Sequence, residues 1–404
     1  MLWNLENEDF EIMTQPYFAQ VPFRSFEEAQ NFSEGLCVVG YYAAGQHRNV
    51  RGSWDGGWQD TDKDSFFGFL NKYGDLELAP RFKVAHNFSE GFAYVEDLDS
   101  KVNTPYTSPG YYINHFGTDA FENVRASGND FSCGHALVGP TESARFIDTK
   151  GNFTSDYLNV FTWTEYTMDP QNGLLYDAIL NKSNYKLGNG LIRCKAANSN
   201  KFGFVNHEGD FKIPAIFDFA FPMSEGIARV MHGTEVAFIN KEGHRVGDRT
   251  YLAAGDFSEG LASVRFIEDT GTAYDGVIDS NGDLVFKREI KDLDYNVRDI
   301  SIGPYSCGRA AFYSEKESGY FDTSGNLHLK GKYFGLHNFK EGFAWVAKKG
   351  PFYAVDGLAL IDLEGNERFY LHDAYTAGEF SEGISAVQST SGPWGFVRKR
   401  NAIS

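Results

Sequence analysis

Six glutamates stand in one fixed setting. Glu34, Glu90, Glu225, Glu259, Glu341 and Glu382 each precede a glycine, in the phrase Phe-Ser-Glu-Gly or a near copy of it. Carboxylates at regular spacing could form a charged ring for a cationic ligand, or supply general acid–base chemistry. The structural alternative is that each carboxylate accepts backbone N–H groups at a bend entering a strand, as capping side chains do. Two near copies, Ser132-Cys133-Gly134 and Ser306-Cys307-Gly308, keep the glycine and lose the acid. The bend therefore needs glycine more than charge, and the structural reading is the expectation.

A second recurring carboxylate or amide opens a tetrapeptide ending in glycine: Asn71…Gly74, Asn114…Gly117, Asp148…Gly151, Asn206…Gly209, Asn240…Gly243, Asp279…Gly282, Asp322…Gly325 and Asp362…Gly365. An EF-hand-type calcium loop needs side-chain oxygens at several alternate positions and a terminal Glu. These tetrapeptides offer one side-chain oxygen each, so they read as hairpin turns in which Asn or Asp binds its own backbone and Gly takes a positive φ. No GxSxG, HExxH, GxxxxGK[ST] or zinc-type Cys/His spacing occurs, and the ten histidines are scattered. The chain is expected to be non-catalytic, with no cofactor and no metal.

The segments between the regular phrases carry the remaining recognition chemistry. Residues 40–64 bring His47, Arg48, Arg51, Trp54, Asp55 and Trp58 into one Gly-rich loop, and residues 154–186 carry Trp163 among several tyrosines and phenylalanines. A third, shorter insertion spans 96–110. Trp, Tyr and Arg dominate interface hot spots, and the same rings could stack on a sugar. The tryptophans could equally pin a long loop to the body.

These residues must be positioned by a scaffold, and the repetition describes it. Gly35, Gly91, Gly134, Gly190, Gly226, Gly260, Gly308, Gly342 and Gly383 mark about nine copies of one supersecondary unit. In the copy from Lys201 to Val230, Phe202–Asn206 has the aromatic and β-branched content of a strand. Residues 210–213 return from the turn and stop at Pro214, and Ile227–Val230 is a third strand after the glycine. That third strand alternates. One face is small then β-branched (Ala93/Val95, Ala228/Val230, Ala344/Val346), as close packing between units requires. The residue between them varies: Val38, Tyr94, Leu137, Arg193, Arg229, Ser263, Ala311, Trp345, Ala386. Tyr94, Arg193, Arg229 and Trp345 in this row join the loop residues as candidate partner-binding positions.

The formal charge of −18 argues against nucleic acid, since a phosphate-binding face needs clustered Lys and Arg, and suits solubility, a basic protein partner or a cationic ligand. No apolar run approaches the roughly 20 residues of a membrane span. The first residues lack a signal-peptide pattern, and the four cysteines are far apart, so a reducing cytoplasm is the expected location and a monomer the default.

The pattern F-x-E-G-L-A-x-V followed by W/Y-G-F-I-D-x-x-G and a Pro-containing return strand resembles the WG-repeat (KWG-repeat) family. Phe67-Gly68-Phe69-Leu70, Phe202-Gly203-Phe204-Val205 and Trp394-Gly395-Phe396-Val397 carry the signature. Arg145-Phe146-Ile147-Asp148 and Gly319-Tyr320-Phe321-Asp322 are drifted versions. The resemblance covers nearly the whole chain and implies a bacterial origin, an all-β repeat and a binding role, with no catalytic residues.

The expected fold is thus all-β, a single array of three-stranded hairpin repeats over 1–404. The N-terminal stretch around Phe10–Pro16 looks like a return strand without its partner, and Trp394–Val397 a hairpin strand without its return. Joining them would close a propeller-like ring and remove two open edges; the alternative is an open β-solenoid. The expected function is a protein-binding scaffold, possible roles being an antagonist or immunity-type partner. The alternative is a module for a glycan or cell-envelope polymer, and a glycan-active enzyme comes last.

Overall fold

The computed structural model describes residues 9–13, 28–42, 65–97, 110–139, 144–158, 187–196, 199, 201–290, 300–314, 317–333, 335–349, 355–372, 374–389 and 394–401. Among these residues all regular secondary structure is β-strand.

The fifth unit shows how one copy folds. Glu235–Asn240 and Arg245–Tyr251 form the expected hairpin around the Asn240–Gly243 turn. Asn240 Oδ1 accepts the N–H groups of Glu242 and His244, at 3.2 and 2.9 Å. Ile227–His232 pairs antiparallel with Glu235–Asn240, Ile227 opposite Asn240. The aromatic link supplies a short fourth strand, Phe219–Ala220, paired with Val230 and Met231. The repeat as read in the sequence is out of phase with the sheets. In most units the strand after the glycine of the recurring phrase belongs to the next sheet and does not complete the preceding hairpin, because the chain crosses between sheets after only a residue or so, as at Asp218 or Leu252; the exception is Ala93–Asp97, which pairs with the return strand Leu76–Ala85 in one six-stranded sheet.

The family's signature glycine has a packing cause. A Cβ on Gly203 would lie 2.4 Å from the Ile213 carbonyl and 2.7 Å from Ala215 N, and one on Gly68 would lie 2.6 Å from the Leu78 carbonyl. The return strand bulges at this point, with register shifts on both sides of Phe204 and of Phe69, and the Pro of the return strand sits in the bulge. Only glycine lets the two backbones come this close.

Sheets stack face to face, and each face of the strand after the turn glycine is buried against a different neighbour. Ala228 and Val230 join Leu191, Phe204 and Ile213 of the fourth unit, whereas Ile227 and Met231 join Phe257, Ala262 and Val264 of the sixth. One apolar cluster fills each such junction around the molecule. An open row of nine units has eight junctions; the ninth cluster here packs Phe32, Cys37 and Val39 of the first unit against Ile384, Ala386 and Phe396 of the last.

The array is therefore a closed, propeller-like ring. Phe10–Ile12 pairs with Trp394–Lys399, Phe10 opposite Lys399 and Ile12 opposite Val397, so the N-terminal strand completes the last sheet as expected. Phe10 is almost fully buried among Phe343, Phe369 and Phe380. Cys37, buried between the last and first units, has its thiol pushed up to about 12 by burial.

Candidate recognition surface

The glutamates of the recurring phrase hold the ring together. Each sits in the left-handed region, with φ between 51° and 55°, and its glycine follows at positive φ. A left-handed backbone costs a non-glycine residue roughly 1–2 kcal/mol. The return comes from the neighbouring unit: Glu34 accepts the N–H of Gly91, Glu90 that of Gly134, Glu225 that of Gly260, Glu259 that of Gly308 and Glu341 that of Gly383, at 2.7 to 3.0 Å. The expectation that these acids bind backbone N–H groups holds, but the bend they cap is the next unit's. Asn189 takes the same part, its Oδ1 accepting from Gly226 at 2.8 Å. The serine of the phrase adds a second tie, as where Ser224 Oγ donates to Phe257 O at 2.7 Å. Where Cys133 replaces glutamate, Ser132 still donates to Leu187 O at 3.0 Å.

The variable row does not face solvent, contrary to the sequence reading. Tyr94 and Trp345 are almost fully buried, and Arg193 is 8% exposed. Alternation along one strand identifies two faces, but the stacking of sheets covers both. These side chains span to the next unit. Trp345 Nε1 donates to Ser385 Oγ at 2.9 Å, Arg193 Nη1 to Ala220 O at 3.0 Å, and Arg229 Nη1 to Ala254 O at 2.6 Å. Tyr94 Oη donates to Glu96 at 2.8 Å, and burial, with that carboxylate second, raises its hydroxyl well above the ordinary tyrosine range. His47, Arg48, Arg51, Trp54, Asp55, Trp58 and Trp163 lie outside the described residues.

The exposed chemistry gathers instead on the hairpin turns beside the glutamate ring. The second turn residue reaches back over the preceding unit: Lys72 pairs with Glu382 at 2.9 Å, and His115 Nε2 lies 3.3 Å from Glu34 while its ring stacks on Phe88. The third turn residue points outward. In the first two units it is aromatic, Tyr73 at 65% exposure and Phe116 at 86%. In the third unit the Arg145 guanidinium lies 3.5 Å from the ring centre of Phe153 and 4.5 Å from that of Tyr157, and both rings are exposed. In later units the third turn residue is polar: Glu208, Glu242, Asn281, Ser324 and Glu364. Tyr73 and Phe116 are thus the two aromatic residues at the third turn position; the third unit has Lys150 there, and its exposed Phe153 has a counterpart in Phe211 of the fourth unit, 44% exposed. Sequence reasoning missed this patch because each turn was read only for the residues that bend it.

Among the described residues no group of three or more His, Cys, Asp or Glu is arranged to hold a metal ion, and no helix is long and apolar enough to cross a membrane.

Residues 67–101, 202–233 and 319–350 match the WG containing repeat. No curated protein matches the sequence. Among solved structures, a eukaryotic initiation factor superposes with a TM-score of 0.53 at 11% identity, covering 91% of this chain and 96% of that one. BamB from Moraxella catarrhalis matches with a TM-score of 0.37 at 10% identity, covering 78% and 91%. The Neurospora crassa Pan2 WD40 domain gives 0.27 at 11% identity, covering 51% and 74%.

Proposed function

From a chain that carries WG-containing repeats closed into a ring, we propose a non-catalytic scaffold that binds another protein, in the manner of an antagonist or immunity-type partner acting in the cytoplasm. The observation that carries this reading is the run of solvent-facing Tyr73, Phe116 and the Arg145–Phe153–Tyr157 stack on successive units of one ring. Aromatic and arginine side chains of this kind anchor protein interfaces. The net charge of −18 favours a basic partner and steers its approach.

The test is capture of partners by the wild-type protein and by the double variant Tyr73→Asp, Phe116→Asp. Both positions are exposed, so the fold tolerates the change. The wild type should retain a basic protein whose association slows as salt rises, and the variant should lose it by about tenfold or more in affinity. Equal retention by both proteins overturns the surface assignment. A glycan stacked on the same rings would instead bind with little dependence on salt.

A further inference from the structure

The residue three places after the glycine of the recurring phrase bridges neighbouring units at Arg193, Arg229 and Trp345, and at one junction the space it would take is left open. Between the fifth and sixth units the Arg229 guanidinium lies 3.7 Å from the centre of the Phe221 ring. It donates through Nη1 to Ala254 O and through Nε to Asp256, each at 2.6 Å. Arg193 repeats the carbonyl contact one unit earlier.

In the same register, the junction of the seventh and eighth units has Ala311 for Arg229, Gly303 for Phe221, Leu336 for Ala254 and Asn338 for Asp256. Plug and platform are both gone. A cavity of about 400 Å³ results, with Ser301, Gly303, Ala311, Tyr313, Leu336 and Asn338 in its wall.

Other junctions with small residues in this row are filled by another route. At the seam, Ala386 and Gly378 are small, but Asn31 Oδ1 lies 2.6 Å from where a Cβ on Gly378 would be. Between the sixth and seventh units, Ser263 Oγ donates to Gly303 O at 3.2 Å. In the open junction Tyr313 Oη donates to Leu336 O at 2.5 Å, which takes up the carbonyl that Arg229 uses elsewhere. Asn338 keeps the position of Asp256. Its Nδ2 donates to Glu379 Oε1 at 3.1 Å, leaving its own oxygen to accept and placing a carboxylate directly behind it.

We propose that this cavity receives an arginine side chain of the basic partner, its guanidinium donating to the oxygen of Asn338, which Glu379 holds from behind, and its stem against Ala311, Leu336 and the Tyr313 ring. The ring would take from outside the group it supplies to itself at Arg193 and Arg229. The inference rests on the protein-binding reading, and the same chemistry would admit a free guanidino compound.

Titration calorimetry with N-acetylarginine amide and N-acetyllysine amide tests it on four full-length proteins: wild type, Ala311→Arg, Ala311→Phe and Thr270→Arg. Arg and large aromatic residues already occupy this row at Arg193, Arg229, Tyr94 and Trp345, so both plugging variants should melt as the wild type does. Thr270→Arg adds the same charge on an exposed turn. The arginine amide should saturate the wild type and Thr270→Arg alike and bind the two Ala311 variants at least about tenfold more weakly. The lysine amide should bind the wild type more weakly than the arginine amide. Equal binding by Ala311→Arg and Thr270→Arg, or no saturable binding to the wild type, overturns the proposal. If Ala311→Arg loses the arginine amide yet keeps the captured partner, the site takes free guanidino compounds and the partner assignment falls. If the arginine amide binds as expected but no partner is captured, the protein-binding reading fails while the cavity's chemistry stands.

Discussion

The Glu382 carboxylate accepts the N–H of Gly35 at 2.9 Å across 347 residues of sequence. It is the same bond that Glu34 makes to Gly91 and Glu225 to Gly260, so the seam uses the joint found between the units that follow one another in the chain. Ser381 Oγ adds its donation to Phe32 O at 2.7 Å, as the serines do elsewhere. What distinguishes the seam is the single strand Phe10–Ile12, which carries the covalent break in the last sheet.

That strand should be worth as much as an interior element. Phe10→Ala removes a ring packed edge-on against Phe343 and Phe380, and should cost about 3–5 kcal/mol of unfolding free energy. Urea denaturation measures it, and a loss below about 1 kcal/mol would mean the seam is not closed in solution.

Two glycines should respond to alanine for different reasons. At Gly226, φ is +81° and a Cβ would meet nothing within 4 Å, so the penalty is backbone strain alone, about 1 kcal/mol. At Gly203 the Cβ would strike the backbone of the return strand, and the cost should be clearly larger. Thermal melts of the two variants give the order, and the reverse order would reject the bulge as the cause of the signature glycine.

Arg265 and Asp275 form a two-pronged ion pair at 2.7 and 2.9 Å with both side chains buried, and Asp275 also accepts the N–H of Ser301 from the next unit at 3.1 Å. Asp275→Ala removes the two-pronged carboxylate from a buried guanidinium and should destabilise by about 3–5 kcal/mol. Replacing both residues, Arg265→Met with Asp275→Leu, should restore most of that loss. A double variant as unstable as the single one would place the effect in the Ser301 bond.

Acid should release one outer-strand clamp. Lys330, first, and then Arg288 hold the Glu317 carboxyl down to about 2 from an ordinary 4.5. A lowered folded-state value means the pair contributes above pH 4.5 and is lost as pH falls through 2. The difference in melting temperature between wild type and Glu317→Gln should therefore shrink between those values. A difference that stays constant across the window would remove the charge pair as its source.

Much of the ring was legible because local chemistry is repeated and self-contained. Asn71 and Asn240 bind N–H groups two and four residues on, so one copy suffices to read the turn. The unmatched strands around Phe10 and Trp394 disclosed the closure, since open edges need partners. What escaped was everything decided between copies. Glu225 finds its acceptor role 35 residues away at Gly260, and Trp345 and Ser385 are 40 residues apart. A strand with one uniform and one varied face reads as half-exposed, yet the variation at Tyr94, Arg229 and Ala311 records how each gap between sheets is filled. Tyr73 and Phe116 went unread because the turn's geometry is indifferent to what its third residue carries.

The pairing of Phe10 with Lys399 also sets an order of events on the ribosome. The strand that shelters Phe10 is synthesised nearly 390 residues later, so this apolar residue leaves the exit tunnel long before its cover exists. Contacts of such sequence separation form slowly and leave edges open to wrong partners meanwhile. Until Trp394–Lys399 emerges the nascent array stays unclosed, and its need for chaperones should be greatest just before that strand appears.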